Sequence, residues 1–389
     1  MVPLEELVEE VLLRFPPAEP DKLVRAALVC KEWYAIVSAP RFRRRFCEFH
    51  RTPAVVGLLF NSWGEDGGHI PPRPHLAHLH KPRRADELAR ARRAPWPEVA
   101  RFVPTTTSSC SPRAGGDQYR HWRVDDARHG RVLLSRQTVG NVVLMVWDPI
   151  TDQRQELPVL PKPVYNWNWT VAIVCAGAAT GTCDHLDCHR SGPFLVVYIG
   201  ASFSDTFTCV YSSDAAAWSK PISTDLPRRH IYKNLVQSVL VGKSLYFMFH
   251  KSYEVLEYDL ELCKVVSVIQ LPLYSNWRRL VLITTEDGEM GYATVIECKL
   301  NLWSWKKADS KGDAGWLQRR VIDPDGLLRV NNDPTTLPKV VGYADGVGVI
   351  FLKMNDVFFT VDLKTYETKE VYNDRDIYDI ISLHELLHS

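Results

Sequence analysis

The chain has 389 residues, 24% of them charged and 46% hydrophobic, a globular composition with room for two domains and none for a largely disordered chain. Lys and Arg number 47 against 46 Asp and Glu, for a formal charge of +1, which argues against a dedicated nucleic-acid binder. Mean hydropathy is −0.17 and the longest apolar run, 171–179, falls far short of a bilayer span, so no membrane partner is expected.

The opening MVPLEELVEE is acidic and lacks the basic region of a secretory or transit signal. Nine scattered cysteines suit reduced thiols. Together they predict a cytoplasmic or nuclear protein. Residues 1–50 are helical in pattern. Leu4, Leu7, Val8, Val11, Leu12 and Phe15 form a stripe at the 3.6-residue period, with Glu5, Glu6, Glu9 and Glu10 opposite. Pro16-Pro17 ends that helix. Asp21 is the expected N-cap of a second helix, a third runs around 30–37 until Pro40, and Phe42 and Phe46 place an apolar pair on one more turn. So small a module buries little surface by itself and needs a partner.

Residues 51–118 read as a linker. Within it 62–100, rich in Gly, Pro, His and Arg and without a period, reads as a disordered insertion. From 119 to 372 the period is two. Predicted strands are 131–136, 142–148, 194–200, 244–250, 255–259, 348–353 and 357–363. Asp287-Gly288 and Asp345-Gly346 mark hairpins between them. No helical stretch separates these strands, so the region is antiparallel and all-β. A plan of strand, Asp, turn and strand recurs in VWDPITDQRQELP, EYDLELCKVVSVIQLP and TVDLKTYETKEV, with marks at 148, about 213, 259, about 303 and 362. Steps of that size suit propeller blades, and a six-bladed propeller is expected. Residues 373–389 read as a tail.

Several motifs invite chemistry. His384-Glu385-Leu386-Leu387-His388 is a literal H-E-x-x-H, which for zinc needs both His on one helix face and a third ligand. No residue follows Ser389 to supply one, so a terminal amphipathic turn is the expectation and a metallo-hydrolase the disfavoured alternative. Cys183, His185, Cys188 and His189 crowd one loop without a second ligand pair at zinc spacing, and a polar loop is the expectation. Gly242-Lys243-Ser244 imitates the end of a P-loop but lies between strands. Trp167, Trp169, Val171, Ile173 and Cys175 alternate onto one strand face, which reads as core. The basic runs 43–45, 81–84 and 90–93 read as solvated surface or a nuclear-import signal. No catalytic constellation, metal site or cofactor site is predicted.

The run from Leu7 to Pro16, Val29-Cys30-Lys31-x-Trp33 and Pro40-x-Phe42-x-x-x-Phe46 together resemble the F-box. The family's usual Leu-Pro opening stands here as Pro3-Leu4. DARHGRVLL, LMVWDPITDQRQELP, CVYSSDAAAWS and VVGYADGVGVIFL resemble a large family of grass F-box proteins with an F-box-associated propeller. The resemblance implies a non-catalytic adaptor of an SCF ubiquitin ligase. Its helices would dock on a Skp1-like protein, and through it on cullin and the RING subunit, while the propeller holds an unknown protein target. The implied Skp1-binding residues are Pro3, Leu4, Leu7, Val8, Val11, Leu12, Phe15, Pro16, Val29, Cys30 and Trp33. Target binding is expected on interstrand loops, with Trp277 and Trp316 as candidates because both lie in polar surroundings. The rival reading is a Skp1-associated propeller with no ligase role.

Overall fold

The computed structural model describes residues 4–15, 20–50, 54–63, 98–104, 122–138, 141–149, 151–162, 169–183, 192–201, 205–224, 237–249, 254–272, 280–308, 313–323, 338–345, 347–373 and 377–385. Four helices come first: α1 (Leu4–Leu12), α2 (Pro20–Ala27), α3 (Lys31–Ser38) and α4 (Pro40–His50). The α1 ladder tightens at its end, where Arg14 and Phe15 donate three residues back, to Val11 and Leu12. Asp21 is not the cap expected of it. Pro20 opens α2, a position where its missing N–H costs nothing. Ala39, before Pro40, is extended (ψ 133°), so α3 stops and α4 starts at the proline. The last turn predicted from Phe42 and Phe46 is an 11-residue helix. Leu12, Leu13, Leu23, Ala26, Ala27, Val37, Phe42 and Phe46 fill the core of this module.

The rest is antiparallel sheet, apart from one helical turn at Gly177–Thr180. β1 (Ala54–Trp63) pairs on one edge with β2 (Glu98–Pro104) and on the other with the last strand, β24 (Ile377–Glu385). Between them lie five blades. The first is β3 (Arg123–Arg128), β4 (Arg131–Thr138), β5 (Asn141–Asp148) and β6 (Gln153–Glu156). The second is β7 (Trp169–Cys175), β8 (Phe194–Ala201), β9 (Thr206–Ser212), β10 (Ala217–Trp218) and β11 (Ile222–Thr224). The third is β12 (Val239–Val241), β13 (Ser244–Phe249), β14 (Glu254–Asp259) and β15 (Lys264–Gln270). The fourth is β16 (Leu280–Thr284), β17 (Met290–Ile296), β18 (Lys299–Lys306) and β19 (Gly315–Ile322). The fifth is β20 (Lys339–Ala344), β21 (Val349–Met354), β22 (Val357–Asp362) and β23 (Thr368–Asn373).

Five blades, not six, are therefore present among the described residues. The remaining sheet has three strands and is assembled from both ends of the β region, with β24 packed beside β20 and β3. Two boundaries read from the sequence move as a result. The supposed linker holds β1 and β2, and the supposed tail holds β24. Composition hid them, because β1 gains its partners only from segments remote in sequence. Most of the insertion, 64–97, lies outside the described residues.

Apolar cores form between sheets and follow chain order. Leu133 and Val142 of the first blade pack with Trp169 and Tyr198 of the second. Ala172 and Val197 pack with Leu245 and Tyr258 of the third, and the same pattern joins the third to the fourth and the fourth to the fifth. β7 is buried along its whole length because its two faces serve two different cores. The repeated Asp also has a structural cause. Asp259 Oδ1 accepts the amides of Glu261 and Leu262, and Asp362 Oδ1 those of Lys364 and Thr365, at 2.7–2.9 Å. Asp148 accepts Thr151 N at 3.3 Å, and Ser212 stands in the same place in the second blade. Four residues on, Asp152, Ala216, Cys263 and Tyr366 all take positive φ, between 49° and 62°. One Asx-type turn thus joins the last strands of four blades. The mark read at about 303 is misplaced: Trp303 sits inside β18, paired with Tyr292 and Gln318.

Candidate functional site

The helical module leaves apolar surface uncovered. Of the seventeen exposed large hydrophobic residues among those described, seven lie in it: Leu7, Val11, Val24, Leu28, Val29, Tyr34 and Phe49. Leu7 and Val11 are four apart on α1 and share a face. Leu28 and Val29 are 76% and 66% exposed just after α2, the highest values for the large apolar residues described in the module. Exposed apolar residues at that density on a small module are the kind of surface that a protein partner covers.

Of the residues expected to meet a partner, Leu7, Val11 and Val29 are exposed, and Val8, Phe15, Cys30 and Trp33 are half-buried. Leu12 is a correction, since it is 0% exposed and fills the module core. Pro3 and Pro16 lie outside the described residues, as does the side chain of Leu4. Leu28, Tyr34 and Val24 were missed. Their signal was present in the helical wheels of α2 and α3 and in the turn between them, but periodicity alone does not say which of two apolar flanks faces inward.

In the propeller, a buried ion pair ties three blades together. Asp126, fully buried, pairs with Arg128 and accepts the amides of Ala127 and Ile173 and the side-chain amide of Gln237. Burial pushes its carboxyl upward, against the pull of Arg128 and these donors. Arg128 reaches past the second blade to Ser238 at the start of the third. These polar groups are spent on one another and hold blades in place.

Trp316 is also a correction. It lies on β19, not in a loop, where it meets Tyr292 edge-on at 4.9 Å and donates Nε1–H to Gln270 O at 2.8 Å. Trp218 repeats the arrangement two blades earlier, against Tyr211 and Tyr198, with Nε1–H on Pro158 O at 2.8 Å. Each ties an outer strand to the chain leaving the preceding blade. Polar neighbours in sequence misled the reading, because the aromatic partners come from other strands. Trp277, Trp167, His388 and the loop 184–190 lie outside the described residues. Trp169, Val171 and Ile173 share one core as expected, while Cys175 is also buried but packs with Ala172 and Val174 in the next core. His384 and Glu385 lie on β24, paired with β1, so the helix that a zinc H-E-x-x-H requires is not formed there. Gly242-Lys243 is the hairpin between β12 and β13.

Fold and surface together define the class: an F-box protein that carries a β-propeller. Residues 5–45 match the F-box domain, and residues 123–384 match the F-box protein AT5G49610-like β-propeller. The chain belongs to that family. A search among curated proteins returned no match. Similar solved structures include a Lactobacillus plantarum protein (8% identity, 82% of each chain, TM-score 0.40) and TolB from Acinetobacter baumannii (9%, 89% of this chain and 73% of the other, 0.42). Another is the Cps50 (Swd1) β-propeller domain of Myceliophteria thermophila (9%, 65% and 74%, 0.37). At these scores nothing about partners follows. The matched architecture is typical of non-catalytic adaptors, and F-box domains generally bind Skp1 in SCF complexes.

Proposed function

We propose that the chain is a substrate-recognition adaptor of an SCF ubiquitin ligase, of the grass branch of its family, acting in the cytoplasm or nucleus. The observation that carries this reading is the exposure of the apolar residues Leu7, Val11, Leu28 and Val29 on an F-box joined in one chain to a propeller. The helical module meets a Skp1-like protein, which brings cullin, the RING subunit and the charged ubiquitin carrier. The propeller holds the target. Ubiquitin transfer then gains from tethering, because the target lysine and the thioester share one assembly and no longer meet by diffusion. This chain contributes no reacting group.

The docking face is tested by Val11→Asp in the full chain. A carboxylate there is desolvated on docking, and capture of a Skp1-like protein should fall at least tenfold with the fold unchanged. Undiminished capture refutes the assignment. Cullin in the parent's complexes separates the ligase adaptor from a Skp1-bound propeller without ligase role.

A further inference from the structure

A charge clamp reaches α1 from α4. Arg45 on α4 forks: Nη1 lies 2.6 Å from Glu9 Oε1, and Nη2 donates to Glu10 Oε1 at 2.5 Å. At about 100° per residue, Glu9 lies roughly 180° around α1 from the midpoint of Leu7 and Val11. It falls between buried Leu12 and Leu13 on the helical wheel, and its side chain is only 14% exposed. Glu10 is about 100° further on. One contact would hold α1 at a distance yet let it roll about its axis. Two contacts from one guanidinium, on carboxylates pointing in different directions, also oppose rotation. A second tie fixes the end of the helix, where His50 Nε2–H donates to Leu13 O at 2.7 Å.

The clamp matters because α1 has nine residues, too few to hold a helix unaided. A roll of α1 would re-aim Leu7 and Val11 while Leu28 and Val29, which belong to a different element, stay in place. We propose that Arg45 is a positioning residue for partner docking, fixing the rotation of α1 so that Leu7 and Val11 face the partner together with the α2–α3 turn. This rests on the reading of that face as the Skp1 surface.

The test measures affinity of the full chain for a purified Skp1-like protein, with far-UV circular dichroism reporting helix content. Arg45→Met keeps the aliphatic stem and should weaken binding roughly tenfold. Arg45→Lys should fall between parent and Arg45→Met, since an ammonium is a point charge that cannot fork. In a Glu9→Gln background the further loss on Arg45→Met should shrink. Should Arg45→Met lose helical signal, Glu10→Gln, which removes the more exposed prong, carries the test, with weakened binding expected. Parent-like affinity in the folded Arg45 or Glu10 variant, with binding lost in Val11→Asp, overturns the clamp alone. A parent that does not bind, or a Val11→Asp variant that binds fully, overturns the docking reading and the clamp with it.

Discussion

Glu257 shows where the propeller's buried charge is spent. It is 6% exposed and accepts hydrogen bonds from Ser244 Oγ, Tyr246 OH, Ser267 Oγ and Lys307 Nζ at 2.6–3.1 Å. Burial alone would raise its carboxyl, but bonds from Lys307, Ser267 and Tyr246 outweigh that and hold it below the ordinary 4.5. Burial and the Glu257 contact in turn push the Tyr246 hydroxyl up to about 12. A carboxyl lowered in the folded state stabilises above its unfolded value and loses that contribution as pH falls through the folded one. Glu257→Gln should therefore destabilise by about 1–3 kcal/mol near neutrality, and its gap to the parent should narrow below pH 4.5. Denaturant titrations across pH check this, and a gap that stays constant contradicts it. Sequence gave no sign of the site. Glu257 lies mid-strand, and its partners come from three other segments.

At the scale of elements, the strands were legible and their edges were not. The apolar runs within 131–136, 142–148, 244–250, 255–259 and 357–363 fall on β4, β5, β13, β14 and β22, which are buried on both faces because each blade packs between two cores. The Asp of the repeated turn was legible too, since it bonds amides two and three residues away. The tryptophan latches were not, as each bridges blades through residues 46 or 60 positions distant. Trp316→Phe and Trp218→Phe each remove the bond to the preceding blade and should cost about 0.5–1.5 kcal/mol. Trp316→Ala, which also strips the contact with Tyr292, should cost about 2–4 kcal/mol. Urea unfolding of the three variants measures both. A Phe variant as destabilised as the Ala one would show that the indole N–H, not the ring, carries the latch.

For the molecule as a whole, the three-stranded sheet is the joint on which the rest depends. β1 and β24 lie more than 300 residues apart and pair along eight positions. Buried Asn61 on β1 fastens the sheet to the first blade, donating to Val124 O and accepting Val124 N, both at 2.9 Å. Asn61→Leu leaves two backbone groups unpaired and should cost about 1–3 kcal/mol in thermal or urea unfolding; no change would show that β24 suffices. Removing 377–389 should lower the melting temperature sharply, whereas replacing 66–95 by a short Gly-Ser linker should leave it near the parent's, since β1 and β2 remain. A linker variant that melts far below the parent would assign that segment a part in the fold.

The sequence alone determined what depends on neighbours along the chain: amphipathic helices, alternating strands, Asx turns and an F-box followed by antiparallel sheet. Period and turn chemistry are local, so they survive without a fold around them. Tertiary structure alone decided the number of blades, the pairing of β1 with β24, the burial of Leu12 and the exposure of Leu28 and Val29, and the inward turn of Trp316. Each of these depends on which remote segment arrives to cover a given face. An apolar residue at the right spacing is equally suited to a core or to a partner until the neighbouring element is in place.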